Sequence, residues 1–206
     1  MDPRAHWESV YAAKSPMAVS WFQPQARLSL ELAVAAVPDR ASRILDVGGG
    51  ASRLVDGLLD LGYARVTVLD IAESALQHAR DRLGLRAKDV TWMAADVLSA
   101  PLEPDSVDLW HDRAVFHFLV DAPDRERYVR QVRHALRPGG IVIVATFADD
   151  GPLRCSGLEV ARYSPERLHG EFGDGFQLLR SEREEHRTPS GVVQAFTYCL
   201  CRGPAA

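Results

Sequence analysis

A chain of 206 residues, 47% hydrophobic and 25% charged, is long enough to bury a sizeable core and reads as one globular domain spanning residues 1–206. Its formal net charge of -4 gives no general attraction to nucleic acid, no apolar run is long enough to span a bilayer, and the N-terminus shows no signal-peptide pattern. A nucleic-acid partner and a membrane are therefore not expected, a cytoplasmic location is, and three cysteines without a leader argue against a disulfide framework.

Residues 1–40 cluster Trp7, Tyr11, Trp21 and Phe22 around breaks at Ser15-Pro16 and Pro24. Helices over residues 3–13 and 25–37 fit this pattern. The segment reads equally as a cap packing aromatics on the core or as a helical lid closing over a ligand. From Arg43 the pattern becomes regular. A short apolar strand (residues 43–47) runs into Gly48-Gly49-Gly50 and then a helix over residues 52–61. A second strand ends in Asp70, and its helix places Ala72, Ala75, Leu76, Ala79 and Leu83 on one face. A third strand (residues 90–94) precedes Asp96, and a fourth (residues 107–110) leads into His111-Asp112-Arg113. A helix carrying Tyr128 and Val132 stops at Arg137-Pro-Gly-Gly140, and a doubly apolar fifth strand (residues 141–147) follows. After a long loop (residues 148–163) and a short helix come two extended segments, joined by the turn Thr188-Pro-Ser-Gly191. The first is highly charged and suits a sheet edge; the second is apolar and suits an interior position.

Strand, glycine turn and helix open a nucleotide-binding unit, and Asp70 stands where a ribose-binding acid belongs in a dinucleotide site. Arg53, however, occupies the position where that pattern needs a third glycine. Asp46-x-Gly48-x-Gly50, with Asp70 and Asp96 after the next two strands, resembles the class I S-adenosylmethionine-dependent methyltransferases over residues 42–202. The resemblance implies an α/β, three-layer, doubly wound, seven-stranded sheet of five strand-helix units and a closing hairpin, in order 3-2-1-4-5-7-6 with strand seven antiparallel. It also implies S-adenosyl-L-methionine as cofactor. Gly48 and Gly50 would line its methionine portion, Asp46 would order the turn, and Ser52 would replace a third glycine. Asp70 would hold the ribose and Asp96 the adenine amino group, with Ile71 and Val97 beside the ring. The pattern of His6-Trp7-Glu8 and Tyr11 with Ser20-Trp21-Phe22 is similar to that of small methyltransferases of the trans-aconitate type or relatives of citrate-synthase lysine methyltransferase. There such a segment covers the cofactor, which would bring Trp7, Tyr11 and Trp21 to the site.

The acceptor belongs beside the carboxyl ends of the strands. His111 and His117 are candidate bases, although for each taken singly a structural hydrogen bond is the favoured reading. Asp112 and Arg113 form either an internal ion pair or a grip on a polar acceptor. Arg154, Cys155, Arg162 and Tyr163, in and beside the loop after strand five, are acceptor-side candidates. No metal is expected at Cys155, which lacks a second thiol nearby in sequence. The activity expected is methyl transfer to a small molecule. A protein lysine methyltransferase and a non-catalytic S-adenosylmethionine sensor are the alternatives.

Overall fold

The computed structural model describes residues 2–205. Two helices lead, α1 (Pro3–Ala13) and α2 (Arg27–Ala36), followed by β1 (Arg43–Val47), α3 (Leu54–Asp60), β2 (Arg65–Asp70), α4 (Glu73–Leu83) and β3 (Val90–Ala94). Next come β4 (Val107–Arg113), α5 (Ala122–Ala135) and β5 (Leu136–Phe147). A two-residue pair, β6 (Arg154–Cys155) and β7 (Leu158–Glu159), precedes α6 (Pro165–Phe172) and the long hairpin β8 (Gln177–Arg187) and β9 (Val193–Arg202). The seven-stranded sheet has the order β3-β2-β1-β4-β5-β9-β8. Its first five strands are parallel, and β9 runs antiparallel to both β5 and β8. This is the order expected from the sequence, with the small β6-β7 pair standing outside the sheet.

Successive side chains in a strand point to opposite faces, so a strand apolar throughout needs cover on both sides. Ile44, Val66, Leu109 and Ile143 pack on one face with Leu32 of α2 and Leu54, Val55 and Leu58 of α3. Leu45, Leu69, Trp110 and Val142 pack on the other with Tyr128 and Val132 of α5 and Leu168 and Phe172 of α6. Cys199 and Cys201 join the second face as buried free thiols.

Four local departures from expectation have physical causes. Strand β4 continues through His111, Asp112 and Arg113, because its pairing with β1 sets His111 opposite Asp46 and Asp112 opposite Val47. Polar residues that read as a loop are thus held in the middle of the sheet. Helix α5 ends at Ala135, ahead of Pro138, and β5 takes up the chain at Leu136, with a bulge in its pairing to β4. Residues 95–106 cross from β3 to β4 without a helix. The loop after β5 is not bare: Ser156 and Gly157 at positive φ turn β6 into β7.

Candidate functional site

The glycine turn is shaped by contacts on both sides. The amides of Gly48 and Gly49 donate to the Leu69 carbonyl (2.7 and 3.2 Å), which anchors the turn to the end of β2. Gly48 and Gly50 have φ of +64° and +30°, a region L side chains rarely enter. A Cβ on Gly48 would overlap Val115, and one on Gly50 would lie 2.5 Å from Asp70 Oδ2. Gly48→Ala is accordingly expected to destabilise the chain by about 1–3 kcal/mol through strain and overpacking. Urea denaturation checks it, and an unchanged midpoint would contradict the tight turn.

The carboxyl ends of β1, β2 and β4 and the segment after β3 open into a cavity of about 270 Å³. Gly48, Asp70, Ile71, Asp96 and Val97 line it from the core, and Trp7, Tyr11 and Trp21 from the N-terminal segment. Asp70 is 6% exposed, and its Oδ1 accepts from the Ala72 amide at 2.9 Å. Burial pushes its pKa up to about 7, opposed by that amide and reinforced by Asp46 and Glu8. Asp96 Oδ1 accepts from the Leu98 amide (2.9 Å). Ala114 also lines the cavity and holds a φ of +74°, a strained conformation of the kind that collects at functional sites.

The lid is tied down at both ends. Helix α4 has no side-chain cap of its own; Glu8 of α1 supplies one, accepting from the Glu73 amide at 2.7 Å and the Ser74 amide at 3.4 Å. A carboxylate there also meets the positive end of the helix dipole, and the Ser74 side chain beside it, with the two amides and Arg4, holds the Glu8 pKa below its usual value against desolvation. Further along, His186 pairs with the Ser20 carbonyl (2.7 Å), Arg113 donates to the Trp21 carbonyl (3.4 Å) and Gln23 donates to Glu184 (2.8 Å). Edge-on ring contacts of Trp7 with Trp21 (5.7 Å) and Phe118 (5.0 Å) complete the roof. The aromatic segment is therefore both a packed cap and the wall of a cavity.

Other sequence candidates lie elsewhere. His111 is 3% exposed, with Nδ1 2.7 Å from Asp46 Oδ1 and Nε2 2.9 Å from Ser29 Oγ. Both ring nitrogens are occupied. With Asp46, Ser29 and Ser52, it borders a second, smaller space of about 50 Å³ on the far side of the turn. Asp46 Oδ2 is buried without a hydrogen-bond partner, and Ser52 Oγ accepts from the Leu54 amide at 3.1 Å. Gly50 borders neither space and instead backs Asp70. His117 is fully buried, its Nδ1 accepting from the Phe147 amide (3.3 Å), and desolvation with nearby Arg113 pushes its pKa down to about 3. The geometry thus removes both histidines from the main cavity.

Asp112 is not the partner of Arg113. It is fully buried and accepts from the Tyr128 hydroxyl (2.6 Å) and the amides of Val115 (2.9 Å) and Phe116 (3.1 Å). Arg113 pairs with Glu184 (3.0 Å) and Tyr198 (2.9 Å), stacks 4.1 Å over Phe196, and still borders the main cavity. Cys155 borders it too, its thiol pushed up to about 11 by burial. Arg154 faces Glu159 (3.5 Å), Arg162 donates to the Gly151 carbonyl (3.0 Å), and Tyr163 donates to Glu171 (3.1 Å); none lines the cavity. Sequence reasoning missed His6, Phe118, Leu119, Asp124 and Leu158, which do. The α1 periodicity held one clue: positions 3, 6, 7 and 11 share a helix face, and all four line the cavity.

A doubly wound sheet with a glycine turn after β1, acids after β2 and β3, and an antiparallel penultimate strand defines a methyltransferase-type domain. The family model described as a methyltransferase domain matches residues 44–140. The chain is 25% identical over 167 residues to the eEF1A lysine and N-terminal methyltransferase of Danio rerio, covering 80% of this chain and 24% of that protein. It is 29% identical over 140 residues to the O-methyltransferase cnsE of Penicillium expansum, covering 67% and 49%. It thus spans about a quarter and about half of these two relatives. A solved structure from work on the conversion of a disulfide bond into a thioacetal group during echinomycin biosynthesis superposes with a TM-score of 0.79 at 19% identity. That match covers 98% of this chain and 92% of the other. Residues 44–140 thus carry a methyltransferase domain, and the chain as a whole is similar to the class I S-adenosylmethionine-dependent methyltransferases. No helix among the described residues is long and apolar enough to cross a membrane.

Proposed function

We propose that the chain binds S-adenosylmethionine across the ends of β1 to β4 and methylates a small molecule. One observation carries this reading: a roofed cavity has acids on its core side and an apolar wall of Trp21, Phe118, Leu119 and Leu158 on the other. On the acidic side, Asp70 accepts from the ribose hydroxyls, and Asp96 from the adenine amino group with Ile71 and Val97 beside the ring. When bound, the cofactor supplies an electrophilic methyl group on a sulfonium. The protein's task is then alignment of an acceptor lone pair and exclusion of water. Trp7, Tyr11 and Trp21 cover the site, and Arg113, its charge answered by Glu184, does not call for an anionic acceptor.

Methylation of a protein amine is the second reading, favoured by the named activity of the Danio rerio relative. The roof argues against it, because a polypeptide chain must reach past α1. Calorimetry with S-adenosylmethionine and NAD tests the cofactor: binding of the first and not the second is expected. A radiolabelled methyl donor offered with cell metabolites and cell proteins tests the acceptor. Label in metabolites is expected; label confined to protein would reverse the order of the two readings, and label in neither would favour a sensor.

A further inference from the structure

His6 is the one histidine among the described residues that lines the main cavity, and its Nε2 is buried with no hydrogen-bond partner. It sits on the inner face of α1, edge-on to Trp7 at 5.2 Å between ring centres. A buried polar nitrogen without a partner is costly and calls for an explanation. The other ionisable groups around the cavity each have a task or the wrong charge. Asp70 and Asp96 belong to the cofactor side, and Asp124 faces Arg127 at 3.4 Å. Arg113 is a cation paired with Glu184. Burial holds the Cys155 thiol and the Tyr11 phenol in their protonated forms at neutral pH. Histidine is the side chain whose ordinary titration falls near neutrality.

We propose that His6, carried by the lid, is the general base for a neutral aromatic acceptor of the phenol class held against Trp7, Trp21 and Phe118. This rests on the methyltransferase reading above. As the acceptor's O–H bond breaks, its proton passes to His6 Nε2. The electron pair left on oxygen forms the O–C bond to the methyl carbon, while the donor's S–C bond breaks with its pair returning to sulfur. The imidazolium then gives its proton to water. Because His6 belongs to the same fastened roof that covers the cavity, the base sits where solvent is excluded.

The test uses the full chain, S-adenosylhomocysteine, phenol and 4-nitrophenol. Wild type and His6→Asn should both bind S-adenosylhomocysteine in calorimetry; no binding by wild type overturns the cofactor reading and is thereby told apart from failure of His6. In that complex, where no turnover occurs, the yellow phenolate band reports the ionisation of bound 4-nitrophenol. A larger ionised fraction in wild type than in His6→Asn is expected. With S-adenosylmethionine, the ratio of transfer to phenol over transfer to ionised 4-nitrophenol should fall about 100-fold in His6→Asn, the scale of general-base catalysis. His6→Gln should repeat this, with thermal unfolding showing that both variants fold. An unchanged ratio, an unchanged phenolate band, or no transfer to either compound by a chain that binds S-adenosylhomocysteine overturns the proposal.

Discussion

Asp70→Ala should weaken binding of S-adenosylhomocysteine by about 1–3 kcal/mol, the scale of hydrogen bonds to a charged acceptor. The same residue should make binding depend on pH. Its folded pKa of about 7 lies far above that of an unfolded aspartate, because burial disfavours the charge. Between those two values the folded chain holds a proton that the unfolded chain has released. Without ligand, this group's contribution to stability is therefore greatest at low pH and declines as pH rises toward about 7. Ribose hydroxyls donating to the carboxylate favour the ionised form, so binding releases a proton below about 7 and tightens as pH rises through that value. Calorimetry at one pH slightly below neutrality, in phosphate and in Tris, reads the proton release directly as a buffer-dependent enthalpy. Asp70→Ala should abolish this dependence as well as weaken the affinity. Wild-type affinity in the variant would refute the ribose role.

Asp112→Ala should act on stability, lowering it by about 3–5 kcal/mol, because three donors, two of them buried, lose their acceptor at once. Those donors are the Tyr128 hydroxyl and the amides of Val115 and Phe116. Tyr128 in turn accepts from the Trp110 indole at 2.8 Å, so the loss spreads into the core on the α5 side. The amides belong to the segment that shapes the cavity behind Gly48, so cofactor affinity should fall along with the denaturation midpoint. Urea denaturation with binding measured on the folded fraction separates the two effects. Unaltered stability with a raised KM for the acceptor would restore Asp112 to a substrate role.

The two aspartates show what one sequence can and cannot express. Asp70 was legible because its place relative to the glycine turn is a matter of spacing, and spacing survives folding. Asp112 was not, since its partners come from a helix sixteen residues on and from a turn that reverses beneath it. His111 was open to both a catalytic and a structural reading for a related reason. Its polar neighbours suggested a loop, yet parallel pairing with β1 sets it beside Asp46 and buries it. His6 was named only as part of the aromatic segment and not as a site residue, because α1 carries no buried apolar stripe to announce an inner face, only Tyr11. The loop after β5 does reach the cavity, but side-chain direction divides it: Cys155 and Leu158 line it, while Arg154 pairs with Glu159.

By itself the sequence determined the strands, the place of the closing hairpin and the end of the sheet on which the cavity opens, while the full strand order followed from the family resemblance. Apolar runs must be buried on both faces, glycines must turn where no side chain fits, and a charged strand must lie at the rim. Each is a local demand that can be met in one way. Only the tertiary structure decided which polar residues face the cavity and which are consumed in holding it. That division depends on register between distant strands and on where the lid is fastened: at Glu8 on the end of α4, and at Ser20, Trp21 and Gln23 against β8 and Arg113.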